Sequence, residues 1–343
     1  MTEGERTQLP KALVMPFAAF VGPWPDHVEL DVEHLERVDC GSYIREKISY
    51  AVAESTRVSA YVCIPKGAPG PLPAVFCHHQ HASNFGLGKS EVVGLGGDPN
   101  QAYARELAER GYLTIAPDAI GFEERNWSPD GQSNVAWFEL STRLVQGRTL
   151  LASCLHEVSV ALDYLVCRDD VNPARLGFIG HSYGGRMALW APAFDQRITA
   201  SVSNCGCVPY RHSQTQDTGV QAEFVLPGFA AHHDLEDVIS RFGESSSLLI
   251  SAGTQDKWSR RAQEVYDGAR RTLGERVELA LYDTAHAFTP EMRARAYDFL
   301  RDRLDAANQG RGRTGLPDSS RHSSGSVARA QDNRAGDQPE TSD

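Results

Sequence analysis

Residues 175–190 read RLGFIGHSYGGRMALW. An apolar run from Leu176 to Ile179 passes into small residues around one serine, then into a helix-forming stretch. Gly180, Ser182, Gly184 and Gly185 in that order suit a very sharp turn between a strand and a helix. Neighbouring side chains would collide in such a turn, and glycines at 180 and 184 remove the collision. Ser182 is then lifted above the carboxyl end of its strand, where open α/β sheets bind their ligands. Gly185 lets the following helix pack close. The stretch therefore calls for a parallel sheet with helices, and for a serine displayed at its ligand-binding edge.

The rest of the chain has the rhythm that such a sheet needs. SYIREKISYAV and TRVSAYVCIP alternate like an antiparallel pair. PAVFCHH, YLTIAPD, RLGFIG, ITASVSN, SLLISAG and VELALYD are short runs fit for buried strands. Helices are expected between them: from Asp98 to Gly111, from Thr149 to Cys167, from Tyr183 onward, from Arg260 to Leu273 and from Pro290 to Ala306. The stretch DVEHLERV near the start also reads as helix-like. Strands alternating with helices of this length imply a mostly parallel central sheet flanked by helices on both faces. Three regions are expected. Residues 1–42 form an N-terminal extension that packs on the core, caps the sheet or meets another subunit of a homo-oligomer. Residues 43–306 form the catalytic domain. Residues 307–343, rich in Gly, Ser, Asp and Arg, form a disordered polar tail. The stretch from about 205 to 245 breaks the alternation and is read as a lid-like insertion. Residues 119–146, with Trp127, Trp137 and Phe138, form a second wall.

A serine hydroxyl needs a base to take its proton, and the base needs an acid to orient it. Behind an elbow of this kind the chain order is serine, acid, histidine. Asp256 stands just past SLLISAG, and His286 just past VELALYD. Both lie at the sheet edge that displays Ser182, whereas His212, His232 and His233 fall in the insertion. Asp283 and Asp118 are the weaker candidates for the acid. The negative oxygen of an acyl-transfer transition state needs backbone donors. One is the N–H of Tyr183, and the other comes from the loop HHQHASNFG, from Gln80 or His81.

Other chemistry finds no support. No carboxylate or cysteine stands at ligand spacing from His78, His79 and His81, so they are read as packing and hydrogen-bonding groups, with no metal and no cofactor expected. GLGGDPN lacks the third glycine of a dinucleotide fingerprint, because Pro99 stands there. Glu123, Glu124 and Arg125 read as a solvated or internally paired turn. A formal net charge of −11 over 343 residues argues against nucleic acid or an anionic membrane as partner. The start carries Glu3 and Glu5 rather than a basic segment, and its apolar run is broken by Pro16. Seven cysteines fit reduced thiols better than a disulfide framework. The chain is expected to be soluble and cytoplasmic.

FCHHQH, APDAIGFEER, VNPARLGFIGHSYGG, SAGTQDKW and TAHAF fall in the order and spacing of the α/β-hydrolase superfamily. Together they most resemble its dienelactone-hydrolase-like branch, next to the acetyl xylan esterases, over roughly residues 43–304. The resemblance implies the α/β-hydrolase fold, with Ser182 as nucleophile, Asp256 as acid and His286 as base. Two positions depart from the pattern: Ser182 stands where dienelactone hydrolases proper carry cysteine, and Gln80 stands where the oxyanion loop usually has a small residue. The expected activity is a cofactor-free serine hydrolase that cleaves an ester of a small molecule through an acyl-enzyme on Ser182. Thioesterase, lactonase and acyl-transferring cyclase are alternatives on the same triad. From another class comes a non-catalytic receptor for a small ligand.

Overall fold

The computed structural model describes residues 17–213 and 218–311. Its strands are β1 (Glu33–Asp39), β2 (Tyr43–Ala53), β3 (Thr56–Pro65), β4 (Leu72–His78), β5 (Leu113–Pro117), β6 (Val171–His181), β7 (Ile198–Asn204), β8 (Ser247–Gly253) and β9 (Val277–Tyr282). They form one sheet in the order β1-β2-β3-β5-β4-β6-β7-β8-β9. β1, β2 and β3 pair antiparallel, and β3 runs antiparallel to β5. From β5 through β4 to β9 every pairing is parallel. After β4 the chain goes to β5 on one side and then returns to β6 on the other. The order therefore reverses between β4 and β6, and a crevice opens beyond their carboxyl ends.

The helices are α1 (Phe17–Val21), α2 (Lys89–Val92), α3 (Tyr103–Ala108), α4 (Ala136–Leu144), α5 (Leu150–Val166), α6 (Tyr183–Phe194), α7 (Tyr210–Ser213), α8 (Leu235–Ile239), α9 (Ala262–Leu273) and α10 (Pro290–Arg311). One face of the sheet is covered by α3 and α10. The other is covered by α5, α6 and α9, joined by the short α1 and α8. This double cover explains why every residue of β4 and of β8 is buried, with no alternation left in their sequences. No helix among the described residues is long and apolar enough to cross a membrane.

Two local expectations are corrected. DVEHLERV contains a strand, β1, which pairs with β2 from Glu33 opposite Ser49 to Asp39 opposite Ile44. Nearly all of its side chains are exposed, so the backbone pairing decides the conformation and helix propensity does not. Its charges (Glu33, Glu36, Arg37 and Asp39) suit an unprotected sheet edge. The helix expected from Asp98 to Gly111 is broken at Ala102, where ψ is 36°. Asp98 caps a single 3-10 turn, Pro99–Gln101, and α3 then starts in a new direction. That direction buries Tyr103, whose hydroxyl donates to the carbonyl of His78 at 2.5 Å.

The stretch from 205 to 245 contains α7, α8 and short turns and, in its described part, no strand. Phe229, at its centre, lies against Trp190 of α6 and against Phe17 of α1, with ring centroids 5.5 and 5.7 Å apart. α1 is thus a wedge between the insertion and α6. Its far end is tied to α5, because Thr149 donates to the carbonyl of Val21 while accepting from Ala152 N–H at 3.1 Å. α10 runs on to Arg311, and the rest of the expected polar tail lies outside the described residues.

Under the crevice, Phe76 of β4 stacks on Phe178 of β6 at 4.8 Å, both fully enclosed. Phe76→Ala should cost about 3–5 kcal/mol of stability, read as a lowered urea midpoint at unchanged slope.

Candidate active site

β6 ends at His181 and α6 begins at Tyr183, so Ser182 is the whole of the turn between them. Its backbone is held at φ 58° and ψ −113°, a strained conformation for a residue with a side chain. The strain persists because the surroundings leave no alternative. A Cβ on Gly180 would lie 2.3 Å from the carbonyl carbon of Gly184, and one on Gly184 would lie 2.1 Å from the carbonyl oxygen of His78. Ser182 N–H donates to Asn204 at the end of β7, at 2.8 Å. The Tyr183 N–H opens the helix and is one of its orphan donors.

Asp256 and His286, which follow β8 and β9, come together beside this turn. His286 Nδ1 lies 3.0 Å from Asp256 Oδ2. Asp256 is buried, and also accepts from Ser259 Oγ at 2.6 Å and from Trp258 N–H at 2.9 Å. Burial pushes its carboxyl up, but the adjacent His286 and the hydrogen bonds from Ser259 and Trp258 outweigh it and hold the group below its ordinary value. Asp283 and Asp118 do not meet His286. Asp283 accepts from Gln255 at an exposed position, and Asp118 is claimed by Lys89.

His181, between the elbow glycine and the serine, was not singled out in the sequence. Its ring lies 4.6 Å from that of His286 and stacks on Phe288. Burial drives its pKa down to about 3, with the nearby His286 adding to the shift. Asn204 Nδ2 donates to His181 Nδ1 at 2.7 Å, which places the remaining ring proton on Nε2. A neutral imidazole thus supports the ring of His286.

On the β4 side, the Gln80 side chain donates to both oxygens of Glu91 at 3.1 Å. That pairing holds the side chain against α2. His79 donates from Nδ1 to the Gln80 carbonyl at 2.8 Å and accepts at Nε2 from Ala119 N–H at 3.1 Å. Burial lowers His78 to about 3 and His79 to about 4, so both are uncharged pins. His81 packs its ring on Phe85 and Phe122.

Lys89 was also missed. It is fully buried, with Nζ 2.7 Å from Asp118, Glu123 and Glu124 alike. The turn of Glu123, Glu124 and Arg125 is thus internally paired, and Arg125 forks onto Glu157 at 2.5 and 2.7 Å. This network ties the loop after β4 to the loop after β5. Glu223, in the insertion, is the opposite case. It is buried, Oε1 has no partner among the described residues, and burial raises its pKa to about 7. The single hint was an acidic residue leading the apolar run EFVLPGF.

A mostly parallel sheet whose order reverses beside a strand–serine–helix turn is the α/β-hydrolase fold. The chain belongs to the dienelactone hydrolase family, whose model matches residues 58–309, and is a hydrolase. Over 242 residues it is 28% identical to YtaP of Bacillus subtilis (strain 168), covering 69% of this chain and 78% of that one. A shorter match, 27% identical over 124 residues, is to carbohydrate esterase MZ0003 of an unknown prokaryotic organism, covering 32% of this chain and 29% of that protein. Among solved structures, the acetyl xylan esterase of Paenibacillus sp. R4 superposes with a TM-score of 0.61 at 19% identity, over 84% of this chain and 99% of that one. A glucuronoyl esterase of Solibacter usitatus gives 0.62 at 16% identity, over 82% and 88%. Likeness at these identities speaks for the fold.

Glu223 gives the protein a pH signature. Its folded pKa of about 7 exceeds the ordinary 4.5, so the folded state holds a proton that the unfolded state releases. Its contribution is fully present below pH 4.5 and is lost as pH rises through 7. Glu223→Gln should flatten that fall and raise stability at pH 8 by about 2–3 kcal/mol, measured by chemical denaturation across pH.

Proposed function

We propose that the protein is a serine esterase that cleaves a small carboxylic ester through an acyl-enzyme on Ser182. The observation that carries this is the His286–Asp256 pair at 3.0 Å, set at the same sheet edge as a serine strained at the head of α6. Nδ1 of His286 faces the Asp256 carboxylate, which leaves Nε2 as the base. Nε2 takes the proton of Ser182 as Oγ bonds to the ester carbonyl. The carbonyl π electrons move onto oxygen, and the N–H groups of Tyr183 and of the Gln80 loop stabilise that charge. As the tetrahedral species collapses, the C–O bond to the alcohol breaks and His286 returns the proton to the leaving oxygen. Water then repeats the sequence on the acyl-enzyme and frees the acid. Throughout, the Asp256 carboxylate offsets the charge of the imidazolium, and its hydrogen bonds from Ser259 and Trp258 fix its orientation.

Ser182→Ala should lower kcat toward a 4-nitrophenyl ester by at least about 10³-fold, with the fold intact by circular dichroism. Asp256→Asn should lower it by a similar or larger factor, because the amide favours the wrong tautomer of His286. Full activity of the alanine variant, together with no labelling of the wild type at Ser182 by a fluorophosphonate, would overturn the assignment.

A further inference from the structure

Beside Asp256 and His286 stands a thiol that the mechanism does not use. Cys205 follows β7 directly and is fully buried. Its backbone is held at φ 53°, and its N–H donates to the Ser251 carbonyl at 2.9 Å. Its Sγ, a carboxylate oxygen of Asp256 and a ring nitrogen of His286 all lie within 4.8 Å of one another. Cys205 shares the lining of a narrow cleft with Ser182, Arg186 and Trp258. Arg186, the charged residue of that lining, packs its guanidinium on the rings of Tyr210 and Phe224, 4.8 and 5.1 Å from their centroids.

His286 supplies a second, independent sign. Its Nδ1 is buried and has no aligned hydrogen-bond partner among the described residues, although Asp256 Oδ2 is 3.0 Å away. A ring nitrogen facing a carboxylate in this way suits two ligands of one cation. Ligands about 2.0–2.3 Å from a tetrahedral zinc stand roughly 3–4 Å apart, so a small inward movement of the thiol completes the set. Sulfur, imidazole nitrogen and carboxylate oxygen are zinc-type ligands, and three of them leave a fourth position for water. One thiolate and one carboxylate also offset the two charges of the ion, so the buried assembly is neutral. The ligands are supported from outside. Asp256 accepts from Ser259 Oγ at 2.6 Å and from Trp258 N–H at 2.9 Å, and the ring of His286 lies 4.6 Å from that of His181. The other such cluster among the described residues, Asp118, Glu123 and Glu124, already surrounds Lys89 Nζ.

We propose that Cys205, Asp256 and His286 form an inhibitory site for a thiophilic divalent cation such as Zn²⁺, which switches the esterase off. The metal binds Cys205 Sγ, an Asp256 oxygen and His286 Nδ1. The thiol proton passes to solvent as the metal–sulfur bond forms, and nothing is oxidised or reduced. Asp256 can then no longer orient or offset His286, so Ser182 loses its base. The inhibition rests on Ser182, Asp256 and His286 being the triad, whereas the binding rests on the geometry alone.

The test uses the full chain. Micromolar zinc chloride should slow wild-type cleavage of 4-nitrophenyl acetate at least about tenfold, EDTA should restore it, and magnesium at the same concentration should do nothing. Cys205→Ser should raise the zinc concentration needed at least about tenfold relative to its own metal-free rate, and Cys167→Ser, at an exposed thiol, should not. Binding is read separately: Co²⁺ should give a thiolate-to-metal absorption band in wild type that Cys205→Ser loses. A third measurement needs no variant, since zinc should slow fluorophosphonate labelling of wild-type Ser182 as it slows turnover. If Ser182 labels and turns over but zinc changes neither, the metal site falls and the esterase stands. Equal inhibition by magnesium, or a zinc effect and cobalt band unchanged in a folded Cys205→Ser, also overturns the site. If the cobalt band appears and depends on Cys205 while Ser182 neither labels nor supports cleavage, the cation site stands and the esterase reading has failed.

Discussion

Beneath the serine, main chain is packed on main chain with no clearance for a single added carbon. Gly185 meets the Asn204 carbonyl as Gly180 meets Gly184: a Cβ there would lie 2.3 Å away. The amino end of α6 is thereby pressed onto the ends of β4, β6 and β7 at once. The position of Ser182, the direction of the Tyr183 N–H and the placing of Arg186 all follow from that contact. Three chain segments converge on it, so moving one of them moves the others. The strained φ at Ser182 is the local cost, held in place by the surrounding sheet.

Around that contact the molecule uses two different kinds of fastening. The loops after β4 and β5 are joined by buried charge, with Lys89 among three carboxylates, and by neutral histidines that bond to main chain. The insertion is joined to the body by aromatic rings, Phe229 between Phe17 and Trp190. Charge with fixed geometry suits the side where the proposed main-chain oxyanion donor lies. Ring contacts, which tolerate small shifts, suit the side that shapes the pocket.

The motifs that could be read directly from the chain are those fixed by local geometry. The glycines around Ser182, and Asp256 and His286 just past apolar runs, mark positions in a known kind of turn or strand end, and the structure brings Asp256 and His286 together. The groups that escaped reading depend on long-range packing. Lys89 looks like a solvent-facing helix residue until the turn at Glu123, 34 positions away, closes over it. Arg186 looks like any arginine on a helix until Tyr210 and Phe224 enclose it. β1 was misread because its exposed side chains carry no alternation, and pairing with β2 alone makes it a strand. Periodicity reports burial, and these elements owe their form to something else.

His286 follows β9, and β9 is hydrogen-bonded to one neighbour only, β8. Its residues are mostly half-exposed, and Leu281 is open to solvent. Ser182 is carried at the centre of the sheet, while His286, the proposed base, hangs from its margin. Margins fray at lower free energy than centres. The proposed site is therefore split between the centre and one margin of a single sheet. Under the proposed mechanism, warming would silence the enzyme while most of its core is still folded, and catalysis would serve as a gauge of a single peripheral strand.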